Sequence, residues 1–173
     1  YTMTDPPTIL ILQADAGFAN ELAGQLRAEG YDVYLSQDGL DGIEKTRSLG
    51  PSLVVLDWML PGCNGLEVLA AIRNDASIDD TPVMMLTDRI EESDMVIGLF
   101  AGADEYVTKP FRMPVLKARV AAMLRRNRRS LQRELPTKES ILIAGPVRVD
   151  LHRHHADVAG DAVSLTLTEF KLL

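Results

Sequence analysis

The sequence predicts an α/β fold: a five-stranded parallel sheet of the (βα)5 type with helices on both faces, then a small antiparallel β unit. Three observations predict it. Short β-rich runs alternate with helical patterns through most of the chain. Those runs are nearly continuously apolar, as strands covered on both faces require. Beyond a charged stretch the pattern changes to two-residue alternation with glycines at the turns, as an antiparallel sheet requires.

The first run is Ile9–Leu12, which ends at Gln13-Ala14-Asp15. Phe18, Leu22 and Leu26 follow four apart, on one helical face. Tyr31–Leu35 is the second run. The third, Leu53–Leu56, ends at Asp57 and leads into the helical "GLEVLAAIR". Val83–Leu86 is the fourth and ends at Thr87; Tyr106–Val107 is the fifth, with Lys109 just beyond and the amphipathic "MPVLKARVAAMLRR" after it. Ligands of such sheets sit at the carboxyl ends of the strands. Gln13, Ala14, Asp15, Asp57, Thr87 and Lys109 are therefore the candidate site.

"LRRNRRSLQRELPTKES" reads as a helix end running into a linker over 129–140. "ILIAGPVRVDLHRHHADVAGDAVSLTL" follows as the small sheet. Thr166 with Glu169 three residues on forms a capping box that opens an apolar helix. The chain stops within the first turns of that helix, so the unit over 141–173 is expected to be incomplete.

Composition bounds the function. Of 173 residues, 46% are apolar and 25% charged, which suits a globular chain with a real core. A net charge of -7 excludes a uniformly nucleic-acid-coating protein, so any DNA contact must be local. A single cysteine cannot form an internal disulfide, so a reducing cytoplasm is expected. No run approaches the ~20 apolar residues of a membrane span, and "YTMTDPP" lacks the features of a signal peptide.

"VVLDWMLPGCNGLEVL", "MLTDRIEESD" and "GADEYVTKPF" resemble the receiver domain of bacterial response regulators, over residues 8 to 128. The tail "VRVDL…VSLTLTEFKLL" resembles the opening platform and first helix of the OmpR/PhoB winged-helix output domain. The resemblance implies a flavodoxin-like (CheY-like) receiver in a DNA-binding, cytoplasmic transcription regulator rather than an enzyme. A histidine kinase or another regulatory protein would be its partner. It makes Asp57 the phospho-acceptor, sets Thr87 and Lys109 against the phosphoryl oxygens, implies a cis Lys109-Pro110 bond, and gives Tyr106 the part of the switch aromatic.

In such receivers two adjacent acids end the first strand. With the acceptor aspartate and the carbonyl two residues on, here Met59, they hold Mg²⁺. Here the matching positions are Gln13 and Ala14, and Asp15 falls outside the metal's ligand set. Magnesium needs hard oxygen ligands in near-octahedral array, so binding is expected to be weak or absent. Asp88 replaces a usually small residue and sets a negative charge beside the mouth of an anion site. The chain therefore resembles the atypical receivers, such as the cyanobacterial non-bleaching type, and is expected to act largely without phosphorylation. A conventional Mg²⁺-dependent phosphorelay receiver and a bare docking module are the alternatives.

The same resemblance implies a homodimer through the fourth helix, fifth strand and fifth helix. Asp104 with Arg126 and Glu105 with Arg119 would pair across it. Val115, Arg119, Ala122 and Arg126 lie on one stripe of the fifth helix. A charged pair of the family has become Met95 and Val115, and another has become Phe100 and Ala121. Other features have plainer readings. Cys63 reads as incidental rather than redox-active. His152, His154 and His155 lack the spacing of a metal site. Arg125, Arg126, Arg128 and Arg129 suit a solvated helix C-terminus.

Overall fold

The computed structural model describes residues 6–133, 141–144, 147–150, 155–158 and 161–163. Strands and helices alternate as β1 (Thr8–Leu12), α1 (Ala16–Arg27), β2 (Asp32–Ser36), α2 (Gly39–Leu49), β3 (Leu53–Leu56), α3 (Gly65–Arg73), β4 (Val83–Thr87), α4 (Glu92–Phe100), β5 (Glu105–Thr108) and α5 (Met113–Arg133). The five strands form one parallel sheet in the order β2-β1-β3-β4-β5.

The apolar runs are continuous because successive side chains feed opposite cores. Ile9, Ile11, Val55, Met84 and Leu86 face one cluster, with Leu22 and Leu26 of α1 and Leu116 and Val120 of α5. Leu10, Leu12, Val54, Leu56 and Met85 face the other, with Val68, Leu69 and Ile72 of α3. Burying one such side chain contributes roughly 2 kcal/mol, so both faces of the sheet are fixed. Asp15, Asp38 and Asn64 cap α1, α2 and α3 by accepting from backbone N–H groups, and Asn64 forms a full capping box with Glu67. Gly50 ends α2 in the left-handed conformation (φ 53°) that glycine adopts without strain.

Helix α4 departs from this pattern. It has no side-chain N-cap bond, and Gly98 is its only fully buried residue. Helix α5 continues through Arg133, so the linker expected from residue 129 starts later. Among the described residues, no helix is long and apolar enough to cross a membrane.

The chain divides into two units, residues 1–127 and 128–173. In the second, β6 (Ile141–Ala144), β7 (Val147–Asp150), β8 (His155–Val158) and β9 (Asp161–Val163) form an antiparallel sheet in sequence order. The expected capping box at Thr166 and Glu169 lies outside the described residues, as do His152 and His154.

Candidate functional site

Strand register assembles the site. Leu12 pairs with Leu56, so Gln13 and Asp57 leave the sheet side by side where the strand order reverses. Thr87 pairs with Thr108, and the Lys109 N–H donates to the Thr87 carbonyl (2.8 Å). The Asp57 N–H donates to the Leu12 carbonyl (3.0 Å). The Lys109–Pro110 bond is cis.

Asp57 is buried, and its Oδ2 lies 2.7 Å from Lys109 Nζ. Its Oδ1 accepts a long hydrogen bond from the Met59 N–H (3.4 Å). The Lys109 ammonium also sits 4.7 Å from the centre of the Phe18 ring. Phe18 in turn meets Phe111 edge-to-face at 6.0 Å. One cation, held by a carboxylate and an aromatic face, thus fills the acidic end of the pocket.

The remaining oxygens are engaged elsewhere. Gln13 is buried, and its Oε1 accepts from the Asp15 N–H (3.3 Å). Asp15 is spent as the α1 cap, its Oδ1 accepting from the Phe18 N–H (3.0 Å). Ala14 offers no oxygen. The donor set therefore has one carboxylate, already paired, and does not fit the oxygen cage Mg²⁺ requires. Among the described residues no group of three or more His, Cys, Asp or Glu is arranged for a metal.

The side chain of Asp88 is 81% exposed at the mouth of the pocket, and its Oδ2 lies 3.4 Å from Lys109 Nζ. Solvent screening and the shared ammonium blunt the repulsion assigned to it.

Arg89 was not anticipated, although a cation two residues after the pocket threonine was visible in "MLTDR". Its N–H donates to Thr87 Oγ1 (3.3 Å) and its carbonyl accepts from the Tyr106 hydroxyl (3.0 Å). Its guanidinium lies 5.7 Å from the Trp58 ring centre and 3.6 Å from Asp94. Tyr106 is turned inward; burial, then the Asp94 charge, raises its hydroxyl pKa. A Cβ on Gly98 would stand 2.9 Å from the Tyr106 ring, so this glycine leaves the room the ring occupies. The Cys63 thiol is pushed up by burial and by Glu67, the opposite of a reactive thiolate.

The expected dimer residues are partly engaged within the chain. Asp104 accepts from Arg73 (2.9 Å) and from the Val83 N–H (2.8 Å). Glu105 accepts from Arg119 of the same chain. Met95 packs against the core. Phe100 is 90% exposed and Val115 45%, while Ala121 is half-buried and Arg126 exposed.

This fold, with an aspartate, a threonine and a lysine brought together at the carboxyl edge of the sheet, defines a receiver of the phosphoryl-signalling class. The response regulator receiver domain model matches residues 9–121, and the chain belongs to that family. It is 41% identical over 165 residues to the DNA-binding response regulator MtrA of Mycolicibacterium smegmatis, covering 95% of this chain and 68% of that protein. It is 39% identical over 166 residues to the sensory transduction protein RegX3 of Mycobacterium tuberculosis, covering 96% and 70%. A response regulator structure from Chloroflexus aurantiacus superposes with a TM-score of 0.66 at 31% identity, over 69% of this chain and 98% of that one.

Proposed function

We propose that this chain is the receiver and the first part of the winged-helix domain of an OmpR/PhoB-type transcription regulator, and that its receiver works largely without phosphoryl transfer. The observation that carries this is the Asp57–Lys109 pair at 2.7 Å, beside Gln13 and Ala14 where metal-binding acids would be needed. A transferring phosphoryl group needs its charge neutralised, usually by a metal. Here Lys109 is the cation bonded to Asp57, and Gln13 and Ala14 supply no carboxylate to recruit a metal. The missing acids also suit the non-bleaching type of regulator. On this reading the protein binds and switches, and is not an enzyme.

DNA binding by the complete protein is supported by the relative named as a DNA-binding regulator and by the antiparallel β6–β9 sheet, which suits the opening platform of that output domain. Homodimerisation through α4, β5 and α5 is supported by the exposed Phe100 and Val115. Because Asp104 and Glu105 bond within their own chain, the pairing would be more apolar than ionic. A conventional receiver phosphorylated on Asp57 by a histidine kinase is the second reading; Thr87 and Lys109 at adjoining strand ends favour it.

Asp57→Asn in the complete protein tests the choice. Unchanged promoter binding and output under inducing conditions support the proposal. Loss of induction supports the second reading.

A further inference from the structure

Among the described residues, β2 is the last strand on its side of the parallel sheet. Its residues alternate in the direction of their main-chain groups. The Asp32 N–H donates to the Pro7 carbonyl (3.1 Å), and the Ser36 carbonyl accepts from the Gln13 N–H (2.9 Å). Asp32, Tyr34 and Ser36 therefore bond along the ladder with β1, and the N–H and C=O groups of Val33 and Leu35 point away from the sheet. A row of outward main-chain groups is a template for a further strand.

Two cations take both outward carbonyls. Arg27, in the last turn of α1, donates from Nη2 to the Val33 carbonyl (2.6 Å). Lys45, on α2, donates from Nζ to the Leu35 carbonyl (2.9 Å) and is held there by Asp41 at 2.7 Å, one turn earlier. Helix α1 packs on one face of the sheet and α2 on the other, so the edge is gripped from both faces. Hydrogen bonds from an ionised donor are roughly twice as strong as neutral ones, so an incoming N–H would compete poorly for either carbonyl.

We infer that Arg27 and Lys45 hold the β2 edge closed to strand addition by a second copy of this chain. Without them, β2 of two copies would pair antiparallel about a twofold axis at Tyr34, which is 45% exposed. Val33 of each copy would then face Leu35 of the other, and the two would exchange N–H···O bonds. Those bonds need the carbonyls that the two cations occupy. Net charge acts in the opposite sense: the chain is already acidic at -7, so losing two cations should on charge alone drive copies apart. The closure is independent of whether Asp57 is ever phosphorylated.

The test traps the pairing as a disulfide in the whole chain. Tyr34→Cys is introduced after Cys63→Ser has removed the one natural cysteine. Pairing about that axis would set the two thiol-bearing residues opposite each other, about 4.5 Å apart at Cα, within disulfide range. Covalent dimer formed under the thiol oxidant diamide is followed on non-reducing gels. Adding Arg27→Met and Lys45→Met should speed the cross-link at least roughly tenfold, because each freed carbonyl then accepts an intermolecular bond. Dimerisation through α4, β5 and α5 would not produce it, since β5 ends the sheet on the side away from β2. Arg47→Met with Lys117→Met removes the same charge elsewhere and should leave the rate unchanged. Equal rates with and without Arg27 and Lys45, in variants that melt cooperatively, would overturn the inference, as would equal acceleration by the control pair. Lys45→Met alone covers the case in which the paired substitution unfolds the chain. It should accelerate the cross-link to a smaller extent, and no acceleration would count equally against the inference.

Discussion

Lys109 Nζ lies 2.7 Å from Asp57 Oδ2, with both side chains largely buried. The ammonium thus neutralises the buried carboxylate of the pocket, while also reaching the exposed Asp88. Removing one partner of such a pair strands the other charge in a poorly hydrated site. Lys109→Met should therefore destabilise the receiver by roughly 3 kcal/mol. Adding Asp57→Asn should recover most of that loss. Urea unfolding checks both; a double variant as unstable as the single one would show that the lysine acts through packing on Phe18 instead.

Gln13-Ala14→Asp-Asp should create a metal site and lower stability when no metal is present. Two carboxylates added beside Asp57 repel it and each other, and one lysine cannot compensate three. The expected cost without Mg²⁺ is about 1–2 kcal/mol, recovered on adding the ion. A variant that melts above the parent in chelator would refute this electrostatic picture.

Gly98 and Tyr106 make a third prediction. Alanine favours a helix over glycine by about 1 kcal/mol. At Gly98, however, its methyl would meet the Tyr106 ring at 2.9 Å. Gly98→Ala should therefore move the ring and break the hydroxyl's bond to the Arg89 carbonyl. Burial raises the Tyr106 pKa by favouring the neutral phenol, so a released hydroxyl should ionise at lower pH than in the parent. Phenolate absorbance, with Tyr106→Phe as the blank, reads this. An unchanged titration would mean that the ring stays in place.

The exposed faces of α4 and α5 make a fourth. The unphosphorylated chain should sediment as a dimer at high micromolar concentration, with little response to salt, because the acidic side chains there are bonded within their own subunit. Val115→Glu should dissociate it by burying a charge opposite apolar side chains. A chain that stays monomeric, or a variant that dimerises as tightly as the parent, would count against the interface.

Much of this was legible in the sequence. Continuous apolar runs located β1, β3 and β4 because these strands are buried on both sides, leaving no polar face to blur the pattern; the partly exposed edge strands β2 and β5 gave interrupted or shorter runs. The positions of Asp57, Thr87 and Lys109 followed from strand ends and a family resemblance. What stayed hidden was pairing over distance. Nothing in the one-dimensional pattern says that Lys109 lies over Phe18, or that Asp104 turns to Arg73 thirty-one residues earlier in the chain. The end of α5 was also misplaced, because "NRRSLQR" carries charges that suit a linker and an exposed helix equally.

The central claim is that the pocket does not run metal-dependent phosphoryl transfer. Its most direct test is incubation with a small phosphoryl donor in millimolar Mg²⁺, with intact-mass analysis of the parent and of Asp57→Asn. In parallel, Mg²⁺ is titrated while Trp58 fluorescence is followed; Trp58 adjoins Asp57 and is the chain's only tryptophan. Negligible labelling and a flat titration are the predicted results. Rapid labelling that vanishes in Asp57→Asn, with a Trp58 response saturating below about 1 mM Mg²⁺, would contradict the account and restore the conventional receiver.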